Sequence, residues 1–161
     1  MPAFTRPYNI ARHNTLESDV IKPHAVISLG ISPNEADLLF QQHMFTDANW
    51  KLYDAHTYRE AMSQLNRDRV PIIICECQLP DGSWKDVLSH LAPLPDRPRL
   101  IVIAKHADEH LWAEVLALGG FDLLGTPLKE TEAGYVIGSA WLDWKNEQER
   151  ATRHALSISS R

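Results

Sequence analysis

A single carboxylate at the end of an apolar run is the first place where this sequence suggests chemistry. The run from Ile72 to Cys75 ends at Glu76, and the segment Leu79-Pro80-Asp81-Gly82 then turns the chain. A short continuous apolar run bounded by turn residues predicts a strand that is buried on both faces, as in a parallel sheet. Because functional groups in such sheets gather at the carboxyl ends of the strands, Glu76 is the leading candidate site residue.

The cysteines and histidines offer weaker candidates. Cys75 and Cys77 are the only cysteines, and on one extended strand they would face the same side in poor geometry for a disulfide, so we predict buried thiols. His106 and His110 are four residues apart, a spacing found in metal sites. No third ligand lies nearby in the sequence, which favours a solvated helix start instead. The sequence therefore predicts neither a metal nor a cofactor.

The composition is typical of one globular domain. Of the 161 residues, 44% are hydrophobic and 23% are charged, values that argue against wholesale disorder. The net charge of -5 gives no general attraction to nucleic acid or to an anionic membrane. No segment approaches the roughly 20 apolar residues of a membrane span, and the N-terminus lacks an apolar signal core. We therefore expect a cytoplasmic protein that binds neither nucleic acid nor membrane through this domain.

Five strands that alternate with five helices are predicted to position Glu76. The strands cover about residues 24–30, 50–55, 72–76, 99–104 and 121–125, and the helices cover about residues 32–44, 57–65, 83–91, 107–118 and 131–153. Strict alternation predicts an α/β fold with a doubly wound, five-stranded parallel sheet of the flavodoxin-like type, (βα)5, in three layers.

We predict the start and the buried face of the first helix. Ser32 is expected to cap it, with Pro33 at the first helical position. Its buried face is expected to consist of Ala36, Leu39, Phe40 and His43.

The chain is expected to divide into three parts. Residues 1–23 contain three prolines and no sustained periodicity, which indicates an N-terminal arm. Residues 24–145 form the folded domain, and residues 146–161 form a C-terminal helical extension.

The order of these elements and five local motifs resemble the receiver domain of bacterial two-component response regulators, over about residues 24–145. The motifs are Ser32-Pro33 at the first helix, Leu79-Pro80-Asp81-Gly82 after the third strand, Ile103-Ala-Lys-His106 after the fourth, and Leu118-Gly119-Gly120 with Thr126-Pro127 around the fifth.

The resemblance identifies the positions where receivers carry out phosphoryl transfer. Receivers accept a phosphoryl group on an aspartate four residues before the proline of the turn. Glu76 stands at that position in this sequence. The remaining positions hold Gly30 and Ile31 in place of the metal-binding acids, Ala104 in place of a hydroxyl residue, Thr126 in place of a lysine, and Leu123 in place of an aromatic residue. Phosphoryl transfer depends on a metal and cations that neutralise developing charge. The resemblance therefore implies a degenerate receiver, or pseudo-receiver, that is not phosphorylated in the usual way.

We interpret the chain as a non-phosphorylatable pseudo-receiver that is not an enzyme and acts as a protein-interaction or regulatory module in two-component-type signal transduction. Two alternatives stay open: residual phosphorylation at the Glu76 position, and a small molecule bound in the vacated pocket near Gly30, Glu76 and Ala104. Glu76 itself is open to two interpretations, an imitation of the phosphorylated state or an ordinary carboxylate at a strand end.

Three tryptophans are candidate interface residues: Trp112, Trp141 and Trp144. In receivers, the face formed by the fourth helix, the fifth strand and the fifth helix is the usual partner or dimer surface, so we expect a protein partner or self-association there. Core packing is the alternative, since Trp is highly buried on average. Three interpretations of the helix beyond residue 145 stay open: a signalling helix, a dimer-forming stalk and a frayed terminus.

Overall fold

A computed structural model describes residues 27–47 and 50–159. In chain order, the elements are β1 (Ile27–Ile31), α1 (Glu35–Asp47), β2 (Lys51–Ala55), α2 (Tyr58–Arg67), β3 (Ile72–Glu76), β4 (Gln78–Leu79), β5 (Gly82–Ser83), α3 (Trp84–Leu91), β6 (Arg99–Ala104), α4 (Glu109–Leu118), β7 (Asp122–Gly125) and α5 (Glu130–Ser159). The arm predicted for residues 1–23 lies outside the described residues.

The main sheet has five parallel strands in the order β2-β1-β3-β6-β7. Its order is the flavodoxin-like one, in which the chain starts near the middle and winds in both directions. The predicted α/β, doubly wound architecture is confirmed. The hairpin of β4 and β5 is antiparallel and forms the turn directly after β3.

The sheet separates two apolar core layers, and alternation along each strand decides which layer a side chain joins. On β3, Ile73 packs with α2, α3 and α4, whereas Ile72 and Ile74 pack with α1 and α5. All three are buried, and each fully buried isoleucine stabilises the fold by about 1.5–3 kcal/mol. The continuous apolar run before Glu76 therefore has the physical origin expected of a strand covered on both sides.

Local capping chemistry explains where several elements begin and end. The Thr57 side chain accepts a hydrogen bond from the Glu60 N–H at 3.1 Å, and Asp108 accepts one from the Leu111 N–H at 2.8 Å. Ser83 and Asp86 form a reciprocal capping box at the start of α3. Gly119 ends α4 with φ of 103°, a left-handed conformation that favours glycine.

The predicted start of the first helix is wrong. Helix α1 begins at Glu35, and the Asn34 side chain accepts a hydrogen bond from the Ala36 N–H at 3.0 Å. Ser32 instead accepts a hydrogen bond from the Asn34 N–H at 3.1 Å and is fully buried. Ser32 and Asn34 both have capping side chains, and the path of the chain after β1 selects Asn34.

The predicted buried face of α1 is also wrong. The helix packs on the sheet through Leu38, Gln41, Met44 and Phe45. The predicted residues Ala36, Leu39, Phe40 and His43 are exposed, Leu39 to 57%. Apolar residues lie on more than one side of this helix, so periodicity alone does not fix the rotation that the sheet selects.

Helix α5 is the longest element and runs for 30 residues, or about 45 Å. Its first half packs on the sheet through Ala133, Val136, Ile137 and Ala140, which are all buried. It passes the expected domain boundary at residue 145 without a break and ends six residues beyond the expected residue 153. None of the helices in the described part of the chain has the length and apolar character needed to cross a membrane.

Candidate functional site

Glu76 lies at the carboxyl end of β3, at the C-terminal edge of the sheet. Its side chain is partly buried, and Oε2 accepts a long hydrogen bond of 3.4 Å from the Ser32 hydroxyl. Ser32 lies in the loop between β1 and α1, so the bond joins segments 44 residues apart. Sequence reasoning missed this partner because Ser32 resembled a helix cap.

Burial raises the pKa of Glu76, and the negative charge of Asp37 raises it further. The Ser32 hydrogen bond and the positive charge of Lys105 oppose this shift. The environment therefore disfavours the charged carboxylate that an acceptor of a phosphoryl group or a metal ligand requires. Lys105 directly follows β6, so it reaches the same edge of the sheet as Glu76.

The two positions at which receivers carry metal-binding acids hold no carboxylate in this chain. Ile31 is fully buried in the core layer with α2 and α3. Gly30 faces the first helix, where a Cβ atom on it would lie 2.6 Å from Gln41 Oε1. Within residues 27–47 and 50–159, no group of three or more acidic, histidine or cysteine side chains has a geometry suited to a metal.

Gln41 is a functional-site neighbour that the sequence did not reveal. Its side chain is fully buried, and among the residues that the structure describes neither its Nε2 nor its Oε1 has a hydrogen-bond partner. The absence of a side chain on Gly30 leaves room for this amide. A glutamine on a helix carries no signal of burial by itself, and only the rotation of α1 placed it here.

The other positions that the resemblance singles out lie on β6 and on or just after β7. Ala104 ends β6 and is buried, and its carbonyl accepts a hydrogen bond of 3.1 Å from the Thr126 N–H. The Thr126–Pro127 peptide bond is cis. Thus Ala104 and Thr126 reach the same edge as Glu76, whereas the fully buried Leu123 belongs to the core.

Asp81 has a structural role in the turn after β3. Its two carboxylate oxygens accept hydrogen bonds from the Tyr58 and Arg59 N–H groups at 2.7 and 3.0 Å. Burial alone would raise the pKa of Asp81, but these backbone hydrogen bonds lower it below its ordinary value. The turn residue therefore also caps the start of α2, which was not predicted.

Both cysteines are free thiols that pack against the same core layer, and Cys75 is buried as predicted. Cys77 follows the end of β3 and is only partly buried, so the prediction of two buried thiols is correct for Cys75 alone. Burial raises the pKa of both Cys75 and Cys77, and the nearby Glu76 charge raises both further. Neutral thiols are poor nucleophiles and poor metal ligands. His106 and His110 are exposed at the start of α4.

The three tryptophans have different surroundings, and each is partly buried. Trp112 Nε1 donates a hydrogen bond of 3.0 Å to Asp122 Oδ1. Trp141 packs against the core layer of α1 and α5, with the Lys145 ammonium 5.1 Å from its ring centroid. Trp144 lies under the Arg69 guanidinium at 5.0 Å. Each tryptophan ring therefore packs against other side chains and also remains partly exposed to solvent.

Comparison with known proteins finds matches among solved structures but none by sequence. No protein-family model matches the sequence, and no curated protein matches it. The signal receiver domain of an HD domain-containing protein from Pseudomonas fluorescens Pf-5 superposes with a TM-score of 0.72 at 19% identity, covering 81% of this chain and 97% of that one. The chain has the receiver fold.

Two further solved structures agree. A response regulator receiver domain protein from Clostridium thermocellum gives a TM-score of 0.67 at 17% identity, covering 74% of this chain and 97% of that one. The beryllofluoride-activated NtrC4 receiver domain dimer gives 0.68 at 19% identity, covering 73% of this chain and 98% of that one. The architecture inferred from the sequence motifs is confirmed, and the roles of the degenerate positions stay predictions.

Proposed function

We propose that this chain is a pseudo-receiver that transmits signals by binding protein partners and not by accepting a phosphoryl group. The observation that carries the proposal is the composition of the edge around Glu76. Gly30, Ile31 and Ala104 supply no side-chain oxygen, and burial disfavours the charged form of Glu76. Phosphoryl transfer is catalysed almost entirely by positioning and charge neutralisation. Magnesium usually requires one or two carboxylates together with further oxygen ligands.

The proposal places the protein in two-component-type signal transduction. In support, all the neighbours described above are receiver domains by name. Within this proposal, residues 24–145 are the signalling domain, residues 146–161 are its helical extension, and the protein acts in the cytoplasm without catalysis of its own.

A test of phosphoryl acceptance decides the central point. The full chain is incubated with Mg²⁺ and either acetyl phosphate or beryllofluoride, and adducts are measured by intact mass and by tryptophan fluorescence. We expect no adduct and no change in fluorescence. A stoichiometric adduct that disappears in Glu76→Gln would overturn the proposal and establish residual phosphorylation at Glu76.

The face formed by α4, β7 and α5 is the proposed partner surface. Helix α4 exposes two large apolar residues, Leu116 at 40% and Leu118 at 50%, and Trp112 and Trp141 are partly exposed on α4 and α5. Self-association is the first partnership to test, since the NtrC4 neighbour is described as a dimer. Light scattering over a range of concentrations would show association that Leu116→Ser weakens. The matched control Leu39→Ser, on α1, should leave it unchanged.

Binding of a small molecule near Gly30 is the second candidate, and the unpaired amide of Gln41 favours it. A cavity of about 350 Å³ lies elsewhere, among residues that include Leu65, Val70, Leu94 and Pro95. Thermal-shift screening with nucleotides and metabolites tests this candidate. A ligand at 100 times its Kd stabilises the fold by about 2.7 kcal/mol, and an effect that Gln41→Met abolishes would support a site at Gly30.

A further inference from the structure

Two arginines connect the N-terminal edge of the sheet to the middle of α5. Arg69 lies between α2 and β3, and Arg99 is the first residue of β6. Since the strands are parallel, this edge is opposite to the one that carries Glu76. Together we call Arg69 and Arg99 the arginine anchor.

Arg99 joins β6 to two successive turns of α5. Its Nε donates a hydrogen bond of 2.7 Å to Asp143 Oδ2, and its Nη2 donates one to Glu147 Oε2. Its Nη1 donates to the Arg97 carbonyl at 2.8 Å. The Arg99 side chain is 13% exposed, and the Asp143 and Glu147 side chains are 50% and 54% exposed, so these pairs are partly shielded from solvent.

Arg69 contacts the adjacent side of the same helix turns. Its Nη2 donates a hydrogen bond of 2.8 Å to Gln148 Oε1, and its guanidinium stacks on Trp144. Asp96, from the loop before β6, lies 3.0 Å from the same Nη2. Asp96 therefore orients Arg69 toward the helix, in the way that a carboxylate commonly fixes a guanidinium.

The two arginines together contact residues at positions i and i+4 on two neighbouring stripes of α5. Asp143 and Glu147 form one stripe, and Trp144 and Gln148 form the other. Residues 151–159 beyond them are all exposed. An isolated helix of that length is marginal in water, so its order and direction depend on how firmly the preceding turns are held.

We propose that the arginine anchor is a positioning device that fixes helix α5 at residues 143–148 and sets the order and direction of the C-terminal extension. The proposed role does not depend on whether Glu76 is phosphorylated, because none of the contacts described for the anchor involves Glu76. Isolated surface ion pairs contribute little. The anchor differs because one arginine engages two carboxylates and the other combines an ion pair, a hydrogen bond and ring stacking.

Backbone amide hydrogen exchange on the full chain tests the proposal segment by segment. In Arg69→Ala/Arg99→Ala we expect exchange of residues 143–159 to accelerate by about tenfold or more, because the lost bonds are charge-assisted. Residues 133–140, which the apolar core holds, should change by less than about twofold. Each single variant should give a smaller acceleration than the pair.

Matched controls separate positioning from general destabilisation. Arg67→Ala removes a neighbouring arginine whose side chain donates a hydrogen bond to Gln64 Oε1 within α2. Glu149→Gln neutralises an acid on α5 that pairs with Lys145 of the same helix. Neither should accelerate exchange in residues 143–159. If the arginine variants fold poorly, Asp143→Asn/Glu147→Gln removes the Arg99 contacts from the helix side.

The outcomes are distinguishable. Acceleration confined to residues 143–159 supports the anchor. Unchanged exchange in those residues overturns the proposal, and so does acceleration of equal size in residues 133–140, since that would show general loss of stability. A positive phosphorylation test at Glu76 would leave the anchor result standing, and an unchanged exchange pattern would leave the proposed function standing.

Discussion

The two edges of the same sheet differ in how their charged groups are used. At the C-terminal edge, Glu76 has one long hydrogen bond to Ser32, and burial raises its pKa. At the N-terminal edge, Arg99 makes close bonds to two carboxylates of α5. Function in parallel sheets usually gathers at the C-terminal edge. In this protein, the arginine anchor lies at the opposite edge, where it holds a helix.

This contrast is what we expect under the proposed function, in which charge serves positioning and not phosphoryl chemistry. A catalytic edge needs groups that converge on a vacant point where charge develops. The N-terminal edge instead has groups that satisfy one another, and this stabilises the attachment of α5.

The N-terminal edge should be the more sensitive to loss of one charged residue. Arg99→Ala is expected to lower the free energy of unfolding by about 2 kcal/mol, because charge-assisted hydrogen bonds to two carboxylates are lost. Urea denaturation followed by circular dichroism measures the change. Glu76→Ala serves as the comparison at the C-terminal edge, and an equal or larger loss there would remove the contrast.

The C-terminal edge should gain stability when its unpaired amide is replaced. Gln41→Met is expected to raise the free energy of unfolding by about 1 kcal/mol, because a buried amide without a partner carries a desolvation cost. Gln42→Met is the matched control, since Gln42 is exposed and bonds to Asp54. A loss of stability in Gln41→Met would show that the amide has a polar partner, and the C-terminal edge would then be better connected than we infer.

The raised pKa of Glu76 should make the free energy of unfolding depend on pH. Its raised pKa means that the folded state holds the proton more tightly than the unfolded state. Stability from this group is therefore present in acid and is lost as the pH rises through the raised pKa. Glu76→Gln should remove this dependence and stabilise the protein at neutral pH by a few tenths of a kcal/mol, after allowance for solvent screening.

A carboxyl titration by NMR measures the pKa of Glu76 directly. Ser32→Ala should raise the Glu76 pKa further, because the hydroxyl hydrogen bond favours the charged form. A Glu76 pKa at or below the ordinary glutamate value in the unmodified protein would contradict the description of this edge.

The smallest effect is expected at His56, on the exposed rim of the C-terminal edge. A hydrogen bond of 2.9 Å to Glu35 raises the pKa of His56. The interaction therefore stabilises the fold below the ordinary histidine pKa and is lost as the pH rises through the raised value. The urea midpoint of His56→Gln should vary less between about pH 5 and pH 8 than that of the unmodified chain. An identical pH profile would show that this pair adds nothing to stability.

The sequence alone predicted most of the architecture, and the reason is local. Apolar runs before turn residues identified the strands, and Thr57 and Gly119 marked a helix start and a helix end. Each of these signals acts within a few residues of chain. The first helix was misjudged because apolar side chains lie on more than one of its sides, as the exposed Leu39 and the buried Phe45 show.

The candidate site and the arginine anchor required the tertiary structure. Ser32 meets Glu76 across 44 residues, and Arg69 meets Gln148 across 79 residues. Contacts of this kind depend on helix rotation and on the register of neighbouring strands, which no local pattern contains. By itself, the sequence determined that a carboxylate ends a buried parallel strand in a receiver-like order, because burial and turns follow from residue type. Only the packing of α1 and α5 decided what surrounds that carboxylate and where the remaining charges are used.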